Sequence, residues 1–210
     1  MIFFLLFAFS LTAEITRLPE EFFVVEQFLS VPTAFDISTE WETFATARKR
    51  ILSLTTVFDL EDRHEQCIAT AKAKFCKWGT VAEVRDPDAK KIGWIEEEYF
   101  RILPWAEFRV FNGEDELMAI AKMNVWGTKF ELYPPDHPEI IYATISRPLI
   151  RFYRDHWKVK ILNYSIFEEN KIDPRLLVIL ALFQTDQDNR SRFRKEIENQ
   201  IRLELEEGNT

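Results

Sequence analysis

Between residues 31 and 164 the chain alternates short apolar-x-apolar runs with polar turns, and the runs recur. Phe35-Asp36-Ile37, Phe58-Asp59-Leu60, Ala82-Glu83-Val84, Phe108-Arg109-Val110, Phe130-Glu131-Leu132 and Trp157-Lys158-Val159 begin 22 to 27 residues apart. In each, a charged residue stands between two apolar ones, the period-2 pattern of a strand with one face in a core and one in water. A second strand follows in each unit, as Ile68-Ala69-Thr70-Ala71 follows Phe58. A unit of this length cannot bury its apolar face alone, so the units stack as antiparallel hairpins.

The connections carry turn chemistry. Glu61-Asp62-Arg63-His64-Glu65, Asp86-Pro87-Asp88, Asn112-Gly113-Glu114-Asp115 and Pro134-Pro135-Asp136-His137-Pro138 supply preset or positive φ between alternating runs. A second class, such as Cys76-Lys77-Trp78-Gly79 and Asn124-Val125-Trp126-Gly127, links one hairpin to the next. So many consecutive antiparallel strands protect their edges by closing into a barrel or splitting into a sandwich. Asp173 to Asp188 bears on that choice. Asp173 suits an N-cap and Pro174 the first helical position, and Leu176 to Phe183 is apolar on every side, so this helix must be buried. It is too short to span a bilayer, which needs about 20 such residues. The economical arrangement is a helix running through the barrel interior; the alternative is a helix packed under an open sheet.

The hairpin repeat, with Ile172-Asp173-Pro174-Arg175-Leu176-Leu177-Val178-Ile179-Leu180-Ala181-Leu182-Phe183 near its end, resembles the LURP-one-related proteins, relatives of the phospholipid scramblases and of the Tubby C-terminal domain. The resemblance covers roughly Phe22 to Asp188. It implies a mainly β fold, a closed antiparallel barrel of about twelve strands around a central hydrophobic C-terminal helix near 174–188. It also implies a non-enzymatic binding module for a protein partner or an anionic lipid headgroup, with a scramblase-like membrane-active protein as the alternative.

Both ends of the chain stand apart from the repeat. Ile2 to Phe9 is an apolar run of signal-peptide length, and Leu11-Thr12-Ala13 would serve as a cleavage site before Glu14. Residues 1–13 are therefore expected to be a signal peptide, which places the protein in the secretory lumen or outside the cell if they are cleaved and in the cytoplasm otherwise. The barrel domain is expected over 14–189. Beyond it, Phe193, Ile197, Ile201 and Leu205 recur every four residues among charged ones, an amphipathic helix over 190–210. That stripe either packs on its own barrel or meets a partner, including a second copy.

Composition narrows the function. With 27 basic and 35 acidic residues among 210 the net charge is −8, which repels nucleic acid at long range. The departure from this average is Arg147 to Lys160, where Arg147, Arg151, Arg154, Lys158 and Lys160 stand among aromatics with Asp155 as the one acid. Tubby-like domains bind phosphoinositides, so this stretch, with Arg48-Lys49-Arg50, is the candidate headgroup site and the place for peripheral membrane contact. The plain reading is that alternate side chains of a strand face water. Asn163-Tyr164-Ser165 and Asn189-Arg190-Ser191 match the glycosylation acceptor pattern, making Asn163 and Asn189 candidates in a secreted protein.

No catalytic constellation is legible. His64 and His137 sit in turns, His156 begins a strand, and no Cys or Ser has a nucleophile's setting. Glu96-Glu97-Glu98 reads as solvated charge on a strand. Asp186-Gln187-Asp188-Asn189 begins like a calcium loop but has Arg190, Ser191 and Ile197 where the loop needs a ligand, glycine and glutamate. Neither an enzyme nor a metal or other cofactor is expected. Cys67 and Cys76, nine residues apart on one strand, would lie about 30 Å apart, beyond disulfide reach, unless the chain reverses between them.

Overall fold

The computed structural model describes residues 18–27, 33–50, 55–76, 79–98, 106–149, 156–169 and 171–207. These residues form twelve strands and two helices. The strands are β1 (Glu21–Glu26), β2 (Ala34–Ser38), β3 (Thr43–Lys49), β4 (Val57–Asp62), β5 (Cys67–Cys76), β6 (Gly79–Arg85), β7 (Lys91–Glu98), β8 (Glu107–Asn112), β9 (Leu117–Met123), β10 (Lys129–Tyr133), β11 (Ala143–Ser146) and β12 (His156–Ile161). Each pairs antiparallel with its sequence neighbours, and β1 pairs with β12, so the sheet closes into a barrel. Every apolar-x-apolar motif of the repeat falls on an even-numbered strand, with its two apolar residues buried inside and the charged one on the outer wall. An apolar interior within a charged wall reverses the pattern of a barrel that spans a membrane.

The odd-numbered strands from β3 to β11 add small residues to the interior. Ala45 and Ala47 on β3, Ala69, Ala71 and Ala73 on β5, Gly93 on β7, Ala119 and Ala121 on β9 and Ala143 on β11 all face inward. The register sets large against small: Phe58 stands opposite Ala71 and Leu60 opposite Ala69, while Phe108 stands opposite Ala121 and Val110 opposite Ala119. Small residues on alternate staves leave room along the barrel axis, and the rings between them close over it. Rings follow one another around that layer, Phe35 to Phe58 at 6.0 Å and Phe108 to Phe130 to Trp157 at 5.6 and 5.8 Å.

The space is filled by helix α2 (Arg175–Glu207). Asp173 caps it, its carboxylate accepting from the Arg175 amide at 2.9 Å, with Pro174 beginning the first turn. Leu176 to Phe183 are all buried in the core, and α2 packs against β7 on one side of the barrel and against β1 and β12 on the other. Phe183 meets Phe58 edge-on at 5.4 Å. Gly93 matters here: a Cβ at this position would lie 2.4 Å from the Phe111 carbonyl oxygen and 3.0 Å from a Leu176 methyl. Each large side chain so buried stabilises the fold by about 1.5–3 kcal/mol.

Two features differ from expectation. The central helix and the C-terminal amphipathic helix are one continuous element, because no Gly or Pro interrupts residues 175–207. Its second half leaves the barrel, and Phe193, Ile197 and Ile201 are exposed by 66%, 39% and 52% instead of packing on the wall. A short helix α1 (Tyr164–Glu169), absent from the sequence reading, closes the end where α2 begins, with Phe167 buried against Tyr142. Cys67 and Cys76 occupy opposite ends of the single strand β5.

Candidate functional site

The end of the barrel from which α2 emerges holds a collar of polar contacts. Of the seven consecutive helix residues Gln184 to Arg190, six reach a strand or a residue at a strand end directly, and Gln184 does so through Asp188. Trp157 on β12 donates its indole N–H to Thr185 at 2.9 Å. Asp186 receives Lys49 of β3, Thr56 at 3.3 Å and Arg190 at 2.9 Å. Gln187 donates to Glu97 of β7 at 2.8 Å, and Asn189 to Glu26 of β1 at 3.1 Å. Arg147, just past β11, lies 2.6 Å from Asp188 and donates to the Gly127 carbonyl at 3.0 Å, its guanidinium 4.1 Å from the centre of the Trp157 ring. Such a collar fixes both the depth and the rotation of the helix. Among the collar's side chains one acceptor stands unpaired, the buried Oε1 of Gln184, whose amide nitrogen donates to Asp188 at 3.1 Å.

Glu97 corrects the reading of Glu96-Glu97-Glu98 as solvated charge. Gly93, Ile95 and Glu97 share the inner face of β7, so period-2 alternation carries the carboxyl inside. Burial pushes it above its ordinary value of 4.5, and hydrogen bonds from Gln187 and Thr80 partly oppose that shift.

The basic residues singled out in the sequence do not share one surface. Arg147 turns inward, its side chain only 2% exposed. Lys158 and Lys160 face outward on β12, Lys158 held by Glu21 at 2.5 Å beside the Phe23 ring. Arg151 and Arg154 lie outside the described residues. Arg48, Lys49 and Arg50 are each held by an acid: Glu61 at 2.9 Å, Asp186, and Asp59 at 2.5 Å. Asp186 and Asp188, from the run that begins like a calcium loop, are neutralised by Lys49, Arg190 and Arg147, and the described residues contain no cluster of three metal-ligating side chains.

Asn163 is exposed at the start of α1, accepting from the Ser165 hydroxyl at 2.7 Å, whereas Asn189 lies within a continuous helix with its amide bound to Glu26. The histidines stand apart: His64 in the β4–β5 turn, His137 beside Glu139 at 3.1 Å, and His156 against the Phe23 ring at 5.1 Å.

At the opposite end a groove of about 510 Å³ runs between the β6–β7 and β8–β9 turns and the α1–α2 junction. Three of the four cations that line it have acidic partners: Lys171 with Glu114 at 3.6 Å, Lys91 with Asp115, and Arg175 with Asp173 at 2.6 Å.

Around the helix exit the surface is apolar in patches. Val125 and Trp126 in the β9–β10 turn are exposed by 57% and 73%, and Leu149, just past β11, by 67%. In the sequence Val125 and Trp126 stand in a connection between hairpins and Leu149 stands within the basic Arg147–Lys160 stretch, although a Val-Trp pair in a turn is itself a signal. No family model matches the chain, and no curated protein matches it.

Proposed function

We propose that the chain is a non-enzymatic binding module of the LURP-one-related and Tubby-like type, and that it engages a protein partner at the rim from which α2 emerges. The observation that carries this reading is the exposure of Val125, Trp126 and Leu149 on that rim. Large apolar side chains, Trp above all, anchor protein interfaces when a rigid scaffold presents them. Here α2 occupies the interior and the collar holds the rim in shape, so recognition falls to the surface. Lys158 and Lys160 on the outer wall favour a second reading, contact with anionic headgroups.

The scramblase-like alternative needs Leu176 to Phe183 to leave the barrel that they fill, and no described helix is long and apolar enough to cross a membrane.

The test compares the full chain with Trp126→Ser plus Leu149→Ser and with Lys158→Glu plus Lys160→Glu, each checked for an unchanged melting temperature. Affinity capture from the cells that express the protein should yield a partner that the rim variant loses and the lysine variant keeps. Flotation with phosphoinositide vesicles that fails in high salt and in the lysine variant alone would replace the protein reading with the lipid one.

A further inference from the structure

Along the emergent half of α2 the apolar stripe is exposed, and among the described residues no strand is seated on it. Phe193, Ile197 and Ile201 stand exposed on successive turns, and Leu205 continues the four-residue spacing within the same helix. Charge along the segment is divided into blocks. Residues 190–195 carry Arg190, Arg192, Arg194 and Lys195 with no acid, while residues 196–207 carry Glu196, Glu198, Glu204, Glu206 and Glu207 against Arg202 alone. This order opposes the helix macrodipole, since the last turn has no basic residue and ends in acids beside the unsatisfied carbonyls. An isolated helix gains nothing from such an arrangement.

We propose that this segment pairs antiparallel with the same segment of a second copy of the chain. Laid head to tail about residue 199, the segment is complementary to itself. Ile197 comes level with Ile201 of its copy and Phe193 with Leu205, while Arg192 shares one flank of the stripe with Glu204 of the copy and Arg194 shares the other with Glu206. The basic block of each chain faces the acidic block of the other, and the acids at each C-terminal end meet cations. A parallel pair would set like blocks side by side and crowd two barrels at one end. The antiparallel pair holds the barrels at opposite ends of the seam. A ridge of residues four apart packs against its own copy at a crossing of about 50°, so the Ile197 and Ile201 contacts form its centre and the charge blocks steer and orient. The seam is short, well under the area of a standard interface, and the dimer is concentration-dependent in the micromolar range. The pairing is distinct from the rim reading: it uses the stripe of α2 and leaves Val125, Trp126 and Leu149 free for another partner.

Sedimentation velocity of the full chain over a concentration series tests it. The expected result is a reversible monomer–dimer equilibrium that Ile197→Lys plus Ile201→Lys abolishes without lowering the melting temperature, since both side chains lie outside the barrel. Arg192→Glu plus Arg194→Glu should weaken the dimer at least tenfold, as should Glu204→Arg plus Glu206→Arg, and the chain carrying all four changes should regain it. A chain that remains monomeric up to about 1 mM overturns the proposal, as does a dimer indifferent to the isoleucine changes. A dimer indifferent to either charge block, or not restored by the fourfold exchange, overturns the antiparallel register. Monomers that float with anionic vesicles through Phe193, Ile197 and Ile201 would assign the stripe to a membrane surface instead.

Discussion

Arg147 and Asp188 stand 2.6 Å apart at the barrel mouth, with the guanidinium lying on the Trp157 ring at 4.1 Å. The pair joins the end of β11 to the helix that fills the barrel, and it takes up a cation that the sequence reading assigned to a lipid headgroup. Truncating Arg147 removes both the stacking on Trp157 and the ion pair with Asp188. Arg147→Ala should cost about 2–4 kcal/mol in urea unfolding. Asp188→Asn, which keeps a hydrogen-bonding group opposite the guanidinium, should cost less.

Gly93 and Leu176 set how closely α2 approaches β7. A methyl group at Gly93 meets a backbone oxygen that cannot turn away, so Gly93→Ala should destabilise by about 1–3 kcal/mol despite its better strand propensity. The urea midpoint measures it, and Gly93→Val should cost more.

Three hairpin turns share one construction. Asp62, Asp86 and Asn112 each accept backbone N–H groups with their side chains, and the residue three places on, Glu65, Ala89 or Asp115, has φ of 59°, 62° or 68°. The equivalent place in the β9–β10 turn holds Gly127 at φ 66°. The left-handed conformation costs a non-glycine residue about 1 kcal/mol or more, offset in part by the larger unfolded-state entropy of glycine. Ala89→Gly should therefore raise stability by about 0.5 kcal/mol, read as a small increase in melting temperature.

Glu97 makes stability depend on pH. Its folded-state value lies above 4.5, so the protonated form is favoured by folding. The stabilisation that the protonated form confers is fully present below 4.5 and is lost as pH rises through the folded-state value. Glu97→Gln keeps partners for Gln187 and Thr80 without the buried charge. It should be more stable than the parent at pH 7, and the advantage should vanish as pH falls below 4.5, as thermal melts across that range would record.

Much of the barrel was legible because its signals are local. Phe58-Asp59-Leu60 and its five counterparts alternate with period 2, and Asp62, Asp86 and Asn112 announce their own turns. The alanines of the odd strands were present but undistinguished, since Ala71 or Ala119 becomes meaningful only opposite Phe58 or Val110 in the closed register. Arg147 could have been placed: Ala143 and Ile145 face inward on β11 and Arg147, just past its end, continues the alternation, as Glu97 does after Gly93 and Ile95. The change of composition near Asp188 marks where α2 leaves the core, not where the helix ends. The rim is a property of tertiary arrangement, and nothing local joins Trp126 to Leu149.

The central claim is that α2 is the core of the barrel over its first half and a free helix over its second. Hydrogen exchange followed residue by residue, in dilute solution where the chain is monomeric, tests it most directly. Amides of Leu177 to Phe183 should exchange only through global unfolding, with the protection of Phe58 and Val110, while those of Phe193 to Arg202 exchange orders of magnitude faster. Exchange of Leu177 to Phe183 well before the strands would contradict the account, since a helix that leaves the barrel without unfolding it is not its core.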